Sequence, residues 1–140
     1  MKNKSDEHNF EQLATSSIHK VSLNGSKEKW LDDAMYRTIS FSPDGNYVMV
    51  SQIKKPFSYL VTYGRFPSQT DVFNKQGKLV TNLLDTPLIE ELPKGRMSTT
   101  TGKRSYSWRA DKPSTLIYVK ALDKGNPAIK TEYSCLLYTS

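Results

Sequence analysis

Apolar and polar residues alternate in short runs along most of this chain, and turn-forming residues separate the runs. Ile18-His19-Lys20-Val21-Ser22-Leu23 alternates and predicts a strand. Asn24-Gly25 is a strong hairpin turn, and Lys29-Trp30-Leu31 supplies a returning strand. The best-defined hairpin joins residues 36–42 to residues 47–53 across Ser42-Pro43-Asp44-Gly45. Pro43 pre-sets φ at the first turn position, Asp44 bonds its own backbone, and Gly45 accepts positive φ. Residues 70–73 and 78–83 form another hairpin across Asn74-Lys75-Gln76-Gly77, and residues 105–108 and 115–119 are the last clear strands. Residues 1–12 are polar, with a weakly helical stretch at 9–13. Asp32-Asp33 reads as a solvated turn, and residues 85–103 as a long loop.

The pattern repeats weakly. Ile39-Ser40-Phe41-Ser42-Pro43-Asp44-Gly45 aligns on Tyr106-Ser107-Trp108-Arg109-Ala110-Asp111-Lys112, an offset of 67 residues from Phe41 to Trp108. A propeller blade usually repeats at about 40–50 residues. Two insertions, 56–67 and the loop after Asp85, account for the excess. The fold class expected is therefore all-β, built of antiparallel four-stranded blades of an incomplete β-propeller over residues 1–133. An ordinary antiparallel meander shares the same turns and is the competing reading. One blade and parts of its neighbours cannot close a ring, and exposed sheet edges and apolar faces predict poor solubility of the chain expressed alone.

Composition narrows the chemistry. Hydrophobic residues make up 36% of the 140, and eight Tyr favour strands. No run is long and apolar enough for a membrane helix, so no membrane insertion is expected. The N-terminal Met1-Lys2-Asn3-Lys4-Ser5-Asp6-Glu7-His8 has no apolar signal core. A periplasmic or secreted parent fits, but no residue fixes the compartment. The net charge of +6 permits acidic partners, yet the longest basic runs are the pairs Lys54-Lys55 and Lys103-Arg104. Nucleic-acid footprints cluster on one element, so none is expected here. The single cysteine, Cys135, leaves no intrachain disulfide and no multi-cysteine zinc site. No metal or other cofactor is called for.

Catalytic motifs are not found. There is no Gly-x-Ser-x-Gly elbow, and His8 and His19, the only two histidines, lie in or beside the polar N-terminal segment. Thr101-Gly102-Lys103-Arg104-Ser105 superficially resembles a phosphate loop but has Met97 in place of the first Gly, and Arg104 separates Lys103 from the hydroxyl. Asn24-Gly25-Ser26 fits a glycosylation acceptor, although its role as a turn is sufficient. The most unusual segment is the proline-bounded insertion carrying Phe57, Tyr59, Tyr63, Arg65 and Phe66. One reading makes it a substrate-lining hairpin, with Tyr59 and Tyr63 as contacts and Arg65 as a carboxylate-binding fork. The other makes it a hydrophobic plug packed on its blade. Arg104 and Arg109 are ambiguous in the same way.

Ser42-Pro43-Asp44-Gly45, Lys55-Pro56-Phe57-Ser58-Tyr59-Leu60-Val61, Arg65-Phe66-Pro67, Thr101-Gly102-Lys103-Arg104-Ser105-Tyr106-Ser107-Trp108-Arg109-Ala110-Asp111 and Ala121-Leu122-Asp123-Lys124-Gly125-Asn126-Pro127 occur in that order. The series resembles the N-terminal β-propeller region of the prolyl oligopeptidase family of serine peptidases, in its glutamyl endopeptidase-like branch, over residues 6–133. The resemblance implies a C-terminal α/β-hydrolase domain carrying Ser, Asp and His, a propeller that restricts entry to peptides, and no catalytic residue in this segment. Lys103 stands where that pattern has Pro, and Thr62 and Gly64 vary the insertion. Residues 134–140, Ser134-Cys135-Leu136-Leu137-Tyr138-Thr139-Ser140, resemble translated sequencing-adapter read-through, so a truncated gene product with a non-native tail is expected. Two further classes stay open: a non-catalytic propeller serving as a protein-interaction module, and a free-standing basic β-domain that binds nucleic acid.

Overall fold

The computed structural model describes residues 3–90, 100–126, 128–133 and 135–139. One helix, α1 (Lys4–Ala14), precedes eight strands: β1 (Ser16–Val21), β2 (Lys27–Phe41), β3 (Tyr47–Ile53), β4 (Ser68–Asn74), β5 (Leu79–Thr86), β6 (Lys103–Trp108), β7 (Leu116–Ala121) and β8 (Cys135–Thr139). The fold is all-β apart from α1, and every strand pair is antiparallel. Strands β1 to β5 form one sheet in chain order, and β6 to β8 form a second. Within the first sheet, the C-terminal half of β2 joins β3, β4 and β5 in a four-stranded meander, while β1 pairs with the N-terminal half of β2.

The Ser-Pro-Asp-Gly hairpin forms as its chemistry dictates. Ser42 N–H donates to the Tyr47 carbonyl and Gly45 N–H to the Ser42 carbonyl, both at 2.9 Å. The buried Ser42 hydroxyl donates to Asp44 Oδ1 at 2.5 Å and accepts from Tyr47 N–H at 3.0 Å. The repeat reappears in the second turn, where Arg109 stands 67 residues after Ser42 but Thr115 stands 68 after Tyr47, the turn being one residue longer. Arg109 N–H donates to the Thr115 carbonyl at 2.8 Å, and Lys112 N–H to the Arg109 carbonyl at 3.4 Å. Asp111 takes Arg109 as Asp44 takes Ser42, receiving Nε at 2.8 Å and Nη2 at 2.5 Å. The two hairpins touch: Trp108 Nε1 donates to the Ser40 carbonyl at 3.0 Å, and Asp44 N–H to the Pro113 carbonyl at 3.1 Å.

Both turn carboxylates titrate below their ordinary range, Asp44 chiefly through the Ser42 hydroxyl and Asp111 chiefly through the Arg109 guanidinium. A carboxylate whose folded pKa is depressed stabilises the fold above its unfolded pKa of 3.8. That contribution is lost as pH falls through the folded value. Denaturant midpoints measured at about pH 6 and about pH 3 should therefore differ, and Ser42→Ala should shrink the difference. An unchanged difference in the Ser42→Ala chain would show that this hydroxyl does not hold Asp44 ionised.

Asp32-Asp33 is not a turn. Both residues lie inside β2, which runs unbroken for 15 residues. They are exposed on a strand that bends: Lys29 Nζ reaches Asp33 Oδ1 at 2.8 Å, and the Tyr36 hydroxyl donates to the Asp32 carbonyl. The bend carries Trp30 over the sheet, where its ring meets Phe73 edge-on at 6.1 Å and its Nε1 donates to the Lys75 carbonyl at 3.2 Å. The expected loop at 85–103 begins later and ends sooner, since β5 continues to Thr86 and β6 starts at Lys103; residues 91–99 lie outside the described residues. Residues 135–139, within the expected non-native tail, form β8 on the edge of β7. Such pairing uses backbone groups and accepts any short strand former, so it is neutral as to the origin of the tail.

Candidate functional site

The insertion between β3 and β4 is closed at its base by Lys54 N–H donating to the Pro67 carbonyl at 2.7 Å. The Lys55–Pro56 peptide bond is cis. Phe57 and Phe66 turn inward and pack on Met35 and Ile53. Phe10 of α1 completes the cluster, edge-on to Phe57 at 5.2 Å and to Phe66 at 5.8 Å. An 11-residue helix is marginal alone in water, and α1 contributes few apolar contacts beyond Phe10 and Ala14. It is held from the insertion by Lys55–Glu11 at 2.7 Å and by the Tyr59 hydroxyl donating to the Glu7 carboxylate.

The insertion is thus a plug on its inner side and an open surface on its outer side. Tyr59, Leu60, Tyr63 and Arg65 are exposed. Tyr63 and Arg65 belong to a single 3-10 turn, Tyr63–Arg65. The backbone of Arg65 is fixed on both sides, its N–H donating to Thr62 at 2.9 Å and its carbonyl accepting from Ile89 at 3.1 Å. No described carboxylate pairs with its guanidinium. Tyr59, in contrast, is already engaged, and the Glu7 carboxylate raises its phenol pKa. The three predicted contact residues therefore share one loop, with Tyr63 and Arg65 unengaged and Tyr59 tied to α1.

A larger groove of about 610 Å³ lies where the β1–β2 end curls over the sheet, lined by Lys29, Trp30, Asp33, Tyr36, Gln52 and Asp71 among others. Asp71 is buried, and it was missed by sequence reasoning. Its carboxylate accepts from Gln69 Nε2 at 2.8 and 3.0 Å and from Asn82 Nδ2 at 2.7 Å, while Gln69 Oε1 accepts from Lys54 Nζ at 2.6 Å. Two side-chain amides thus satisfy the buried carboxylate through three contacts, as burial of a polar group requires. The alternation of β4 contains the signal for it: Asp71 shares a sheet row with Ile39 and Val50, at a position where an apolar residue is expected. Burial and the Asp32 charge both push the Tyr36 phenol pKa up.

Nothing among the described residues assembles a hydrolytic centre. The one Ser–His contact is Ser17 Oγ to His19 Nε2 at 3.0 Å, exposed on β1, with no carboxylate on the other ring nitrogen. The described residues contain no cluster of three or more metal-ligating side chains, and no described helix is long and apolar enough to cross a membrane.

No family model matches the chain, and no solved structure matches it. Two curated proteins are similar to it. One, from Oryza sativa subsp. japonica, is named probable glutamyl endopeptidase, chloroplastic, and is 35% identical over 138 residues. The other, of the same name from Arabidopsis thaliana, is 34% identical over 138 residues. Each match covers 99% of this chain but only 15% and 14% of the respective relative. The chain is thereby related, over nearly its whole length, to one segment of much longer proteins named as peptidases.

Proposed function

We propose that this chain is a non-catalytic segment of a β-propeller in a serine peptidase of the prolyl oligopeptidase family, and that it positions or gates peptide substrate. The observation that carries the reading is the similarity along the whole chain to proteins named glutamyl endopeptidase. The repeated hairpin supports it: the same two turn bonds recur about 67 residues on, the second turn being one residue longer, as expected of consecutive blades. In this reading the four-stranded meander is one blade, and β6 and β7 begin the next. The α/β-hydrolase domain with its Ser, Asp and His, and the remaining blades, belong to the rest of the parent. Tyr63, Arg65 and Tyr59 face the peptide, Arg65 through the planar fork that suits a carboxylate.

The test is hydrolysis by the protein encoded by the complete reading frame. It should cleave peptides after glutamate through a serine within a Gly-x-Ser-x-Gly motif encoded downstream, and the 140-residue chain should cleave nothing. A complete protein that lacks both the motif and the activity would overturn the proposal in favour of a propeller used only for protein interaction.

A further inference from the structure

Three neighbouring rows cross the first sheet: Tyr36–Gln52–Gln69, Ile39–Val50–Asp71 and Phe41–Val48–Phe73. Asp71 is the one carboxylate in these rows, and it stands in the central one. The groove of about 610 Å³ opens here. Tyr36, Asp71 and Phe73 line it from the sheet, and Trp30, Asp32 and Asp33 from the curled end of β2. Its volume falls within the span of small-ligand pockets, about 300–1,000 Å³.

Asp71 exposes 3% of its surface yet lines the groove. A carboxylate has room for about four hydrogen bonds. Asp71 Oδ1 accepts from Asn82 Nδ2 and Gln69 Nε2, but Oδ2 accepts only from that same Gln69 nitrogen, at 2.8 Å. Among the described residues no cation pairs with Asp71; Lys54 Nζ bonds to Gln69 Oε1 instead. The lining holds three carboxylates against one ammonium, Lys29, which is engaged by Asp33 at 2.8 Å and Asp32 at 3.9 Å. An acidic concavity in a chain of net charge +6 focuses its field on an entering cation. The Tyr36 phenol registers that field, since after burial it is Asp32 and Asp33 that push its pKa up.

The aromatic lining narrows the kind of cation. Trp30, Tyr36 and Phe73 are each half-buried and all line the groove. The Trp30 ring is held by its edge-on contact with Phe73 at 6.1 Å and by its bond to the Lys75 carbonyl. A guanidinium is planar and weakly hydrated, stacks on aromatic faces and donates to carboxylates through its fork. An ammonium is strongly hydrated and has no plane to stack.

We propose that this groove binds an organic guanidinium, such as an arginine side chain, which stacks on Trp30 and donates to the free side of Asp71 Oδ2. The site stands apart from the insertion, and its ligand does not depend on the peptidase reading. The test is titration of the isotope-labelled 140-residue chain with Nα-acetyl-arginine amide, with agmatine, and with Nα-acetyl-citrulline amide, the uncharged urea of the same shape. Both guanidinium compounds should shift the Trp30 indole N–H and the amides of residues 71–73. The Trp108 indole, bonded to the Ser40 carbonyl outside the groove, should stay where it is. Tighter binding of agmatine would identify the ligand as a free cation, and tighter binding of the arginine amide as a residue of a chain. Asp71→Asn should weaken binding about tenfold through loss of a charge-assisted hydrogen bond. Trp30→Leu, read on the amides of residues 71–73, should weaken it about fivefold. Should Asp71→Asn fail to fold, Trp30→Leu decides the matter. Glu132→Gln, which removes an exposed carboxylate elsewhere, should leave binding unchanged. Equal binding of the citrulline compound, an unmoved Trp30 indole with both guanidinium compounds, or full affinity in Trp30→Leu would overturn the site.

Discussion

Truncation of Phe66 to alanine should cost about 3–5 kcal/mol, the usual penalty for removing a buried phenylalanine. Phe66 exposes 4% of its surface and lies at the centre of the small cluster that joins three elements. Its ring contacts Phe57 at 5.5 Å and Phe10 at 5.8 Å, so its loss loosens the insertion and removes a main anchor of α1 together. A domain of this size is stable by only about 5–15 kcal/mol, so the variant should shift the denaturant midpoint strongly. Amide exchange should accelerate first in α1 and in the insertion, ahead of β3 and β4. Tyr63→Ala, on the same loop but exposed, should fall within about 0.5 kcal/mol of the unaltered chain. If Phe66→Ala left α1 protected, the helix would be held by its two polar ties to Lys55 and Tyr59 and not by the aromatic cluster.

The division within that loop was legible in part. The clustering of Phe57, Tyr59, Tyr63 and Phe66 between prolines marks an insertion, which the sequence left open between a substrate-lining hairpin and a hydrophobic plug. The structure divides its aromatic side chains by residue type. The two phenylalanines, with no polar atom to satisfy, go inward. The two tyrosines keep their hydroxyls at the surface, one bonded to Glu7. What the sequence could not show is α1 as the partner, because Phe10 meets Phe57 across 47 residues of chain and no local pattern encodes that contact. Local chemistry was far more legible. The Ser-Pro-Asp-Gly turn and the Asn24-Gly25 turn form as their residues require. Asp32-Asp33 misled because charge was read as a turn, whereas both carboxylates ride on the exposed side of a bent strand.

Gly77→Ala tests the other long-range contact, the docking of the β4–β5 hairpin beneath Trp30. Gly77 closes the turn with a φ of +82°, bonding its N–H to the Asn74 carbonyl at 2.9 Å while the Asn74 side chain accepts from Gln76 and Lys78. A left-handed conformation costs an alanine about 1–2 kcal/mol. A Cβ at this position would also lie 2.7 Å from the Trp30 carbonyl oxygen and 3.2 Å from its indole Nε1. The first of those neighbours is backbone in β2 and cannot swing aside, so an overpacking cost of about 1–3 kcal/mol is added. The combined loss of about 2–5 kcal/mol should displace Trp30 from Lys75 and open the groove above Asp71. Gly45→Ala separates the two causes. Its φ is +69° but nothing lies within 4 Å of the added carbon, so only the conformational part should be felt. Equal losses in the two variants, measured as denaturant midpoints, would mean that the hairpin does not press on Trp30. A larger loss at Gly77, accompanied by a change in Trp30 fluorescence, would locate the excess in the contact that holds the curled end of β2 over the sheet.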